Sequence, residues 1–316
     1  MGSLQIQNNM IDKKYFETVK CNICNSNSFS IVYPAQYNKE KDLDIISKYR
    51  ASGDELLIDQ LVKCNKCGLV FINPRIRGDL IVDAYSQGSD ETFVSQAPAR
   101  VKTFISSTKQ IEQFARKGKI LDVGTAGGSF LSAAKSRGWD VYGCEPNKWL
   151  AAWGKKNYGI DIKPGTIFEQ KYKKDSFNVV TLWDVIEHTP DPLAVLKECN
   201  RVLKEKGVLI VNYPDLASLV AKLMGRKWLF LNSVHLYYFT PETINLILKK
   251  AGFEIIAIKP YFQKLEFGYL MFRAGGVSQF ISKIGMFFSK IFGLDKRLFP
   301  YWLGQTFVAA RKIKNS

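Results

Sequence analysis

The chain has 316 residues, 46% of them hydrophobic, six cysteines and a formal charge of +16. That length holds one large domain or two smaller ones with proper cores. The absence of any 18-residue apolar run excludes a spanning helix, and MGSLQIQNNMIDKK does not read as a signal peptide, so the expected location is cytoplasmic. The basic excess is either a scatter of solvated lysines or a match to an anionic partner: a phosphorylated substrate, an acidic membrane surface or RNA.

The first informative elements are two C-x-x-C knuckles, Cys21-Asn22-Ile23-Cys24 and Cys64-Asn65-Lys66-Cys67, the second followed by Gly68. Such a pair can supply four thiolates to one tetrahedral zinc, and with four sulfurs no position stays open, so the expected metal is structural. Cys144 and Cys199 stand alone and read as core. Between the knuckles, Phe29 to Tyr33 reads as a strand, Asn38 to Asp44 as a loop and Glu55 to Val62 as a helix or strand. Leu69 to Arg75 reads as a strand leaving the knuckle, and Asp79 to Tyr85 and Arg100 to Phe114 as helices. The polar stretch Ser86 to Ala99 can fold over a ligand, with Tyr85 and Phe93 either covering it or packing between helices.

Lys119 to Phe130, KILDVGTAGGSF, is a strand meeting a glycine turn and then a helix closed by Gly138. Glycines there let backbone approach a ligand, and the helix start offers unpaired N–H groups to an anionic end of it. The strand Trp139 to Cys144 follows and ends in Glu145, where a carboxylate can accept both hydroxyls of a ribose. A dinucleotide fingerprint needs G-x-G-x-x-G, but Ala126 and Ser129 occupy its second and third glycine positions, which disfavours hydride chemistry. S-adenosylmethionine, with no pyrophosphate to cradle, suits the turn better.

Helix and strand alternate from here, as a doubly wound α/β sheet demands. Leu150 to Tyr158 is a helix, Ile160 to Ile162 a short strand and Phe177 to Leu182 a buried central strand. That strand ends in Trp183-Asp184-Val185-Ile186-Glu187-His188, at the carboxyl edge where such sheets bind ligands. The next helix has Asp191 as cap, Pro192 at its first position, an apolar face of Leu193, Leu196, Val202 and Leu203, and Gly207 as its end. Val208 to Asn212 is a strand, Leu216 to Met224 a helix, Thr243 to Lys250 a helix stopped by Gly252, and Phe253 to Ile258 a strand. Phe280 to Phe292 is amphipathic, and Gln305 to Ala310 is the last strand.

D-V-G-x-x-G-G followed by V-Y-G-x-E-P resembles motif I and the post-I acid of class I S-adenosylmethionine-dependent methyltransferases, and WDVIEHTPDP resembles their fourth-strand motif. CNICNS through KCNKCGLVFINPR resembles the zinc-ribbon-like head that precedes many bacterial methyltransferase domains acting on sugars and other small metabolites. The resemblance implies a Rossmann-like seven-stranded methyltransferase sheet with an antiparallel last strand. Its divisions would be a zinc-binding head at 1–78, a helical cofactor-covering linker at 79–115 and a catalytic domain at 116–316, with insertions at 213–240 and 262–303 forming the acceptor pocket. It assigns Asp122, Gly124, Thr125, Gly127 and Gly128 to the methionine part of the donor. Glu145 falls to the ribose, Ile167 and Phe168 to the adenine with Glu169 near its amino group, and Trp183 and Asp184 to the methyl region.

The donor arrives activated, so the protein supplies alignment and, for a hydroxyl acceptor, a base. His235 lies in Val234-His235-Leu236-Tyr237-Tyr238-Phe239-Thr240, and H-L-x-x-F-T recurs in the resembling family, which makes His235 the preferred base and His188 the reserve. Asp184, Glu187 and His188 also resemble a divalent-metal site proposed in some quinone-precursor O-methyltransferases; the alternative is a loop oriented by hydrogen bonds. The head and HLYYFT favour a sugar, glycan or lipid-linked acceptor, methylated at oxygen. An RNA methyltransferase is the rival within the class, disfavoured because the head has no basic run interleaved with aromatics. A non-catalytic adaptor that binds S-adenosylmethionine is the rival outside it. The basic amphipathic stretch within 276–300 suits an interfacial helix on acidic lipid at the inner face of the membrane, or else packs on the sheet or a second subunit.

Overall fold

The structure, a computed structural model, describes residues 14–36, 57–89, 91–276 and 278–313. The expected loop Asn38 to Asp44 and the first residues of the Glu55 to Val62 run lie outside them. The main sheet has seven strands: β1 (Lys119–Val123), β2 (Asp140–Glu145), β3 (Lys163–Pro164), β4 (Phe177–Trp183), β5 (Leu203–Pro214), β6 (Phe253–Pro260) and β7 (Gln305–Lys312), in the order 6-7-5-4-1-2-3. β7 runs antiparallel between β5 and β6, and the remaining pairs are parallel. This is the Rossmann-like methyltransferase sheet that the motifs implied. The order reverses beside β1, so β1, β2 and β4 carry their carboxyl ends to one crevice.

Helices α1 (Gly78–Gln87), α2 (Glu91–Ser95) and α3 (Ala97–Ile111) precede the sheet. They are followed in chain order by α4 (Ser129–Ser136), α5 (Lys148–Tyr158), α6 (Pro192–Val202), α7 (Leu219–Met224), α8 (Pro241–Lys250), α9 (Phe267–Arg273) and α10 (Gln279–Ile291). The Asp191 cap falls where the sequence places it. Asp191 accepts from Ala194 N at the start of α6, and Thr240 opens α8 with a capping box.

Two local expectations need correction. Ile160 to Ile162 is not a strand, and pairing with β2 begins only at Lys163. Ile160 and Ile162 are core side chains instead, and Ile162 fills the space that a Cβ on Gly128 or Gly154 would take. Leu203 does not extend α6; it opens β5 opposite Phe177, the register shifts before Val208, and Gly207 lies inside the strand rather than ending a helix.

The head forms a four-stranded antiparallel sheet in the order Tyr237–Tyr238, Val70–Ile72, Leu61–Cys64, Phe29–Tyr33. Its first strand is the middle of HLYYFT, supplied from more than 160 residues away in the chain. One apolar core runs from Cys21 and Phe71 in the head to Leu121 and Val180 in the main sheet. Arg75, almost fully buried, clamps this junction. It pairs with Glu17 at 2.9 Å, donates to the Tyr237 hydroxyl at 3.0 Å and to the Pro190 carbonyl at 3.0 Å. Arg75→Ala strips a partner from a half-buried carboxylate, from the buried Tyr237 hydroxyl and from the half-buried Pro190 carbonyl, so it should cost about 3 kcal/mol. Urea unfolding with an unchanged m value would register this as a lower midpoint.

Candidate functional site

The turn after β1 requires its glycines. Gly124 has φ 68°, and a Cβ there would lie 2.8 Å from Val185; Gly128 has φ 78° and would meet Ile162 at 2.9 Å. Ala126, between them, is held at φ 48°, a region that alanine tolerates poorly. What holds it is Glu145, at the end of β2. The Glu145 carboxylate is fully buried and accepts from Ala126 N at 2.7 Å through Oε2 and from Asn147 N at 2.8 Å through Oε1. The Tyr85 hydroxyl adds to its stabilisation, yet burial dominates and pushes the carboxyl up to about 7. Asn147 donates to the carbonyls of Tyr85 and Gly88 and so ties the end of α1 over the turn. Sequence reasoning passed over Asn147; its place directly after Glu145-Pro146, capping α5, was the available signal.

Asp122 in β1 is buried as well. It accepts from Thr181 Oγ1 at 2.6 Å, and burial pushes it up to about 7. Together these groups border a cavity of about 990 Å3. Thr125 and Gly127 line it beside Gly124. Gly128 is absent from the wall and sits beneath the turn, against Ile162. Ile167 and Phe168 form an apolar wall, while Glu169 lines the same wall but accepts from Thr166 N at 2.6 Å, which fixes the local turn.

Trp183 packs against Phe104, Phe130 and Tyr261, with its Nε1 buried and unpartnered among the described residues. The next residue, Asp184, leaves β4 at φ 51°. Its carboxylate accepts from Asn212 Nδ2 at 2.6 Å and more weakly from Gln263 Nε2 at 3.4 Å. Burial pushes it up to about 6 even though the Arg100 charge opposes the rise. Arg100, Tyr261 and Gln263 also line the cavity, and no local sequence signal pointed to them.

Three further groups gather behind Asp184. One ligand atom each from Glu187, His188 and His235 lies within 4.8 Å of the others. The rings of His188 and His235 meet edge to face with centroids 4.5 Å apart. His188 Nδ1 donates to the Val234 carbonyl at 3.0 Å and His235 Nδ1 to the Phe230 carbonyl at 2.7 Å, which leaves Nε2 on both rings as the open nitrogen. Burial drives His188 down to about 4 and His235 well below its ordinary value, so both are neutral. Both Glu187 carboxylate oxygens are buried without a hydrogen-bond partner among the described residues, and burial raises this carboxyl well above the usual range. Two neutral imidazoles clustered with an unsatisfied carboxyl can hold a divalent cation or share a proton. His188 borders the cavity, whereas His235 lies in the layer behind it and does not line the wall. Asp184 and His188 therefore both line the cavity, and His235 packs behind His188.

The crevice suits S-adenosylmethionine. Its glycine turn leaves room for close backbone approach, the Glu145 carboxylate lines the cavity as an acceptor for a ribose hydroxyl, an apolar slot waits at Ile167 and Phe168, and buried carboxylates favour a cation. Fold and site together define an S-adenosylmethionine-dependent methyltransferase. The family described as a methyltransferase domain matches residues 93–258, just over half of the chain, and the chain belongs to that family. It is 35% identical over 101 residues to the ubiquinone biosynthesis O-methyltransferase of Actinobacillus pleuropneumoniae, covering 29% of this chain and 43% of that protein. To the enzyme of the same name from Cereibacter sphaeroides it is 26% identical over 148 residues, or 43% and 60% of the two chains. The chain thus spans about half the length of these curated relatives. A solved chain from the complex of the Haloferax volcanii Trm112 methyltransferase activator with a methyltransferase superposes with a TM-score of 0.50 at 13% identity, covering 72% of this chain and 99% of that one.

With Asp122 and Glu145 both raised to about 7, protons compete with the donor. The ionised forms accept hydroxyl and cationic groups and dominate above that value, so affinity should fall as pH drops through it. The expected loss is about tenfold between roughly pH 8 and pH 6 for each carboxylate that must be ionised. Titration calorimetry with S-adenosylmethionine measures this, and Glu145→Gln should bind weakly at both ends with a flatter profile.

Proposed function

We propose that the protein moves the methyl group of S-adenosylmethionine to an oxygen of a small-molecule acceptor of the sugar, glycan or lipid-linked class. The observation that carries the reading is the polar patch on the cavity wall beyond Trp183, where Gln263 contacts Asp184, Arg100 acts on its charge, and His188 lines the same cavity. An enclosure of about 990 Å3 suits a compact acceptor rather than a folded RNA. The names of the curated relatives support oxygen as the methylated atom. When bound, S-adenosylmethionine supplies an already activated methyl group. Asp184 holds the acceptor hydroxyl and takes its proton, Arg100 and Gln263 orient it, and His188 closes the wall beside it. His235 positions His188 from behind.

Labelled-methyl donor incubated with cell extract should place label in a polar small-molecule, polysaccharide or lipid fraction, as an ether stable to mild base. Asp184→Asn should lower that incorporation by about 100-fold or more. Label released by nuclease would overturn the reading.

We also infer that Cys21, Cys24, Cys64 and Cys67 hold a structural zinc. Cys21 and Cys67 sulfurs lie 3.4 Å apart and those of Cys24 and Cys64 3.5 Å, near the roughly 3.8 Å edge of a tetrahedron with standard zinc–sulfur bonds. All four cysteines are free of disulfides. Their second-knuckle turn is closed by Gly68 N donating to the Cys64 carbonyl. Elemental analysis should find one zinc per chain in the purified protein, and Cys64→Ser should lose both the metal and part of the resistance to urea.

A further inference from the structure

α10 is built the wrong way round for a helix of a water-soluble surface. It buries its small polar side, with Ser282 and Ser289 almost fully covered and Gly285 against Met271. Its large apolar side chains face outward: Phe280 is 73% exposed, Phe287 61% and Ile291 58%, with Ile284, Phe288 and Phe292 on the same side. The spacing 280, 284, 287, 288, 291 marks one continuous stripe at helical period. An apolar stripe of this size left in water signals an interaction surface.

Charge decides what covers it. α10 carries no acidic residue; its only charges are Lys283 and Lys290, two turns apart along one edge of the stripe. The loop that follows adds Lys296 and Arg297 against Asp295 alone. A twofold contact with a second copy would crowd these like charges together, whereas lysines beside an apolar stripe match anionic headgroups over acyl chains. Within the described residues no helix is long and apolar enough to cross a membrane, so the stripe can only lie along a surface.

We propose that α10 seats the protein on a lipid surface bearing anionic headgroups, with Phe280, Phe287, Phe288 and Ile291 in the acyl boundary and Lys283 and Lys290 at the headgroups. The unit that carries α10 also reaches the cavity. Tyr301 donates to Gln263 Oε1 at 2.9 Å, and Gln263 in turn contacts Asp184. If the acceptor is lipid-linked, a point that rests on the reading above, this seating brings it to the cavity.

The test uses the full-length protein and vesicles of phosphatidylcholine, with or without phosphatidylglycerol, read by cosedimentation. The wild type should partition onto the mixed vesicles at least about tenfold better than onto pure phosphatidylcholine, and added salt should weaken this. Replacing Lys283 and Lys290 with Glu should reduce partitioning by at least about fivefold per position. Phe287→Ser with Phe288→Ser should reduce it on both vesicle types. Absence of wild-type partitioning, or variants that partition as the wild type does, would overturn the proposal. A wild-type dimer that the Phe pair dissolves, with no vesicle binding, would assign the stripe to a second copy instead. Calorimetric binding of S-adenosylmethionine, unchanged in all variants, separates these outcomes from misfolding and from failure of the methyl-transfer reading.

Discussion

Three carboxylates at the ends of neighbouring strands, Asp122 and Glu145 buried and Asp184 partly so, set the terms for this molecule. Asp122 lies next to the end of β1, Glu145 ends β2 and Asp184 follows β4, so the reversal of strand order beside β1 brings them to one crevice. Burial raises all three, so their charges are held at a cost that a ligand with positive charge and hydroxyl donors would offset. Glu145 is also part of the architecture. Its acceptance of Ala126 N fixes the glycine turn at a strained φ, and its acceptance of Asn147 N fixes the start of α5. Binding chemistry and local fold therefore share the same side chain.

The head acts on the site by position. Tyr237 pairs with Phe71 on one side, while the amides of Leu236 and Tyr237 both donate to the Glu187 carbonyl on the other. The segment carrying His235 is thus stitched between the head sheet and the loop carrying Glu187 and His188. Asn22, inside the first knuckle, accepts from Leu193 N and donates to Asp191, and Lys250 donates to the Ile23 carbonyl. A metal that rigidifies the knuckles would stiffen the start of α6 and the histidine pair, although it touches neither ligand.

What the sequence disclosed follows from how local each signal is. The strand, glycine turn and helix from Lys119 to Ser136 are written in consecutive residues, and so are the Asp191 cap and the C-x-x-C pairs; all could be read directly. Ile160 to Ile162 misled because an apolar triplet looks the same whether it pairs as a strand or plugs the gaps beside Gly128 and Gly154. Leu203 misled because an apolar residue at helical spacing can also open the next strand. The pairing of Tyr237 and Tyr238 with the head was not legible, since partners so distant in sequence leave no period to detect. Arg100, Asn212 and Gln263 meet Asp184 only through the tertiary fold, and the relative depth of His188 and His235 is likewise a tertiary fact.

The same distinction explains why the donor side of the cavity is so much more defined than the acceptor side. Donor groups come from the ends of adjacent parallel strands, whose spacing and direction the sheet dictates. The groups we assign to the acceptor come from elements added around that sheet: Arg100 from α3, His188 from the loop before α6, and Gln263 from the hairpin of Gln263–Glu266 with Leu298–Tyr301. That hairpin is anchored inward by the bond from Thr103 to the Lys264 carbonyl and by the Gln263 to Asp184 contact, and between its strands the chain makes α9 and α10. The outward apolar stripe and the inward polar contact to Asp184 thus belong to one covalently continuous unit. A surface that draws α10 outward would also load the strands that present Gln263, so under the two proposals above partner and acceptor would be selected by the same insertion rather than by the sheet.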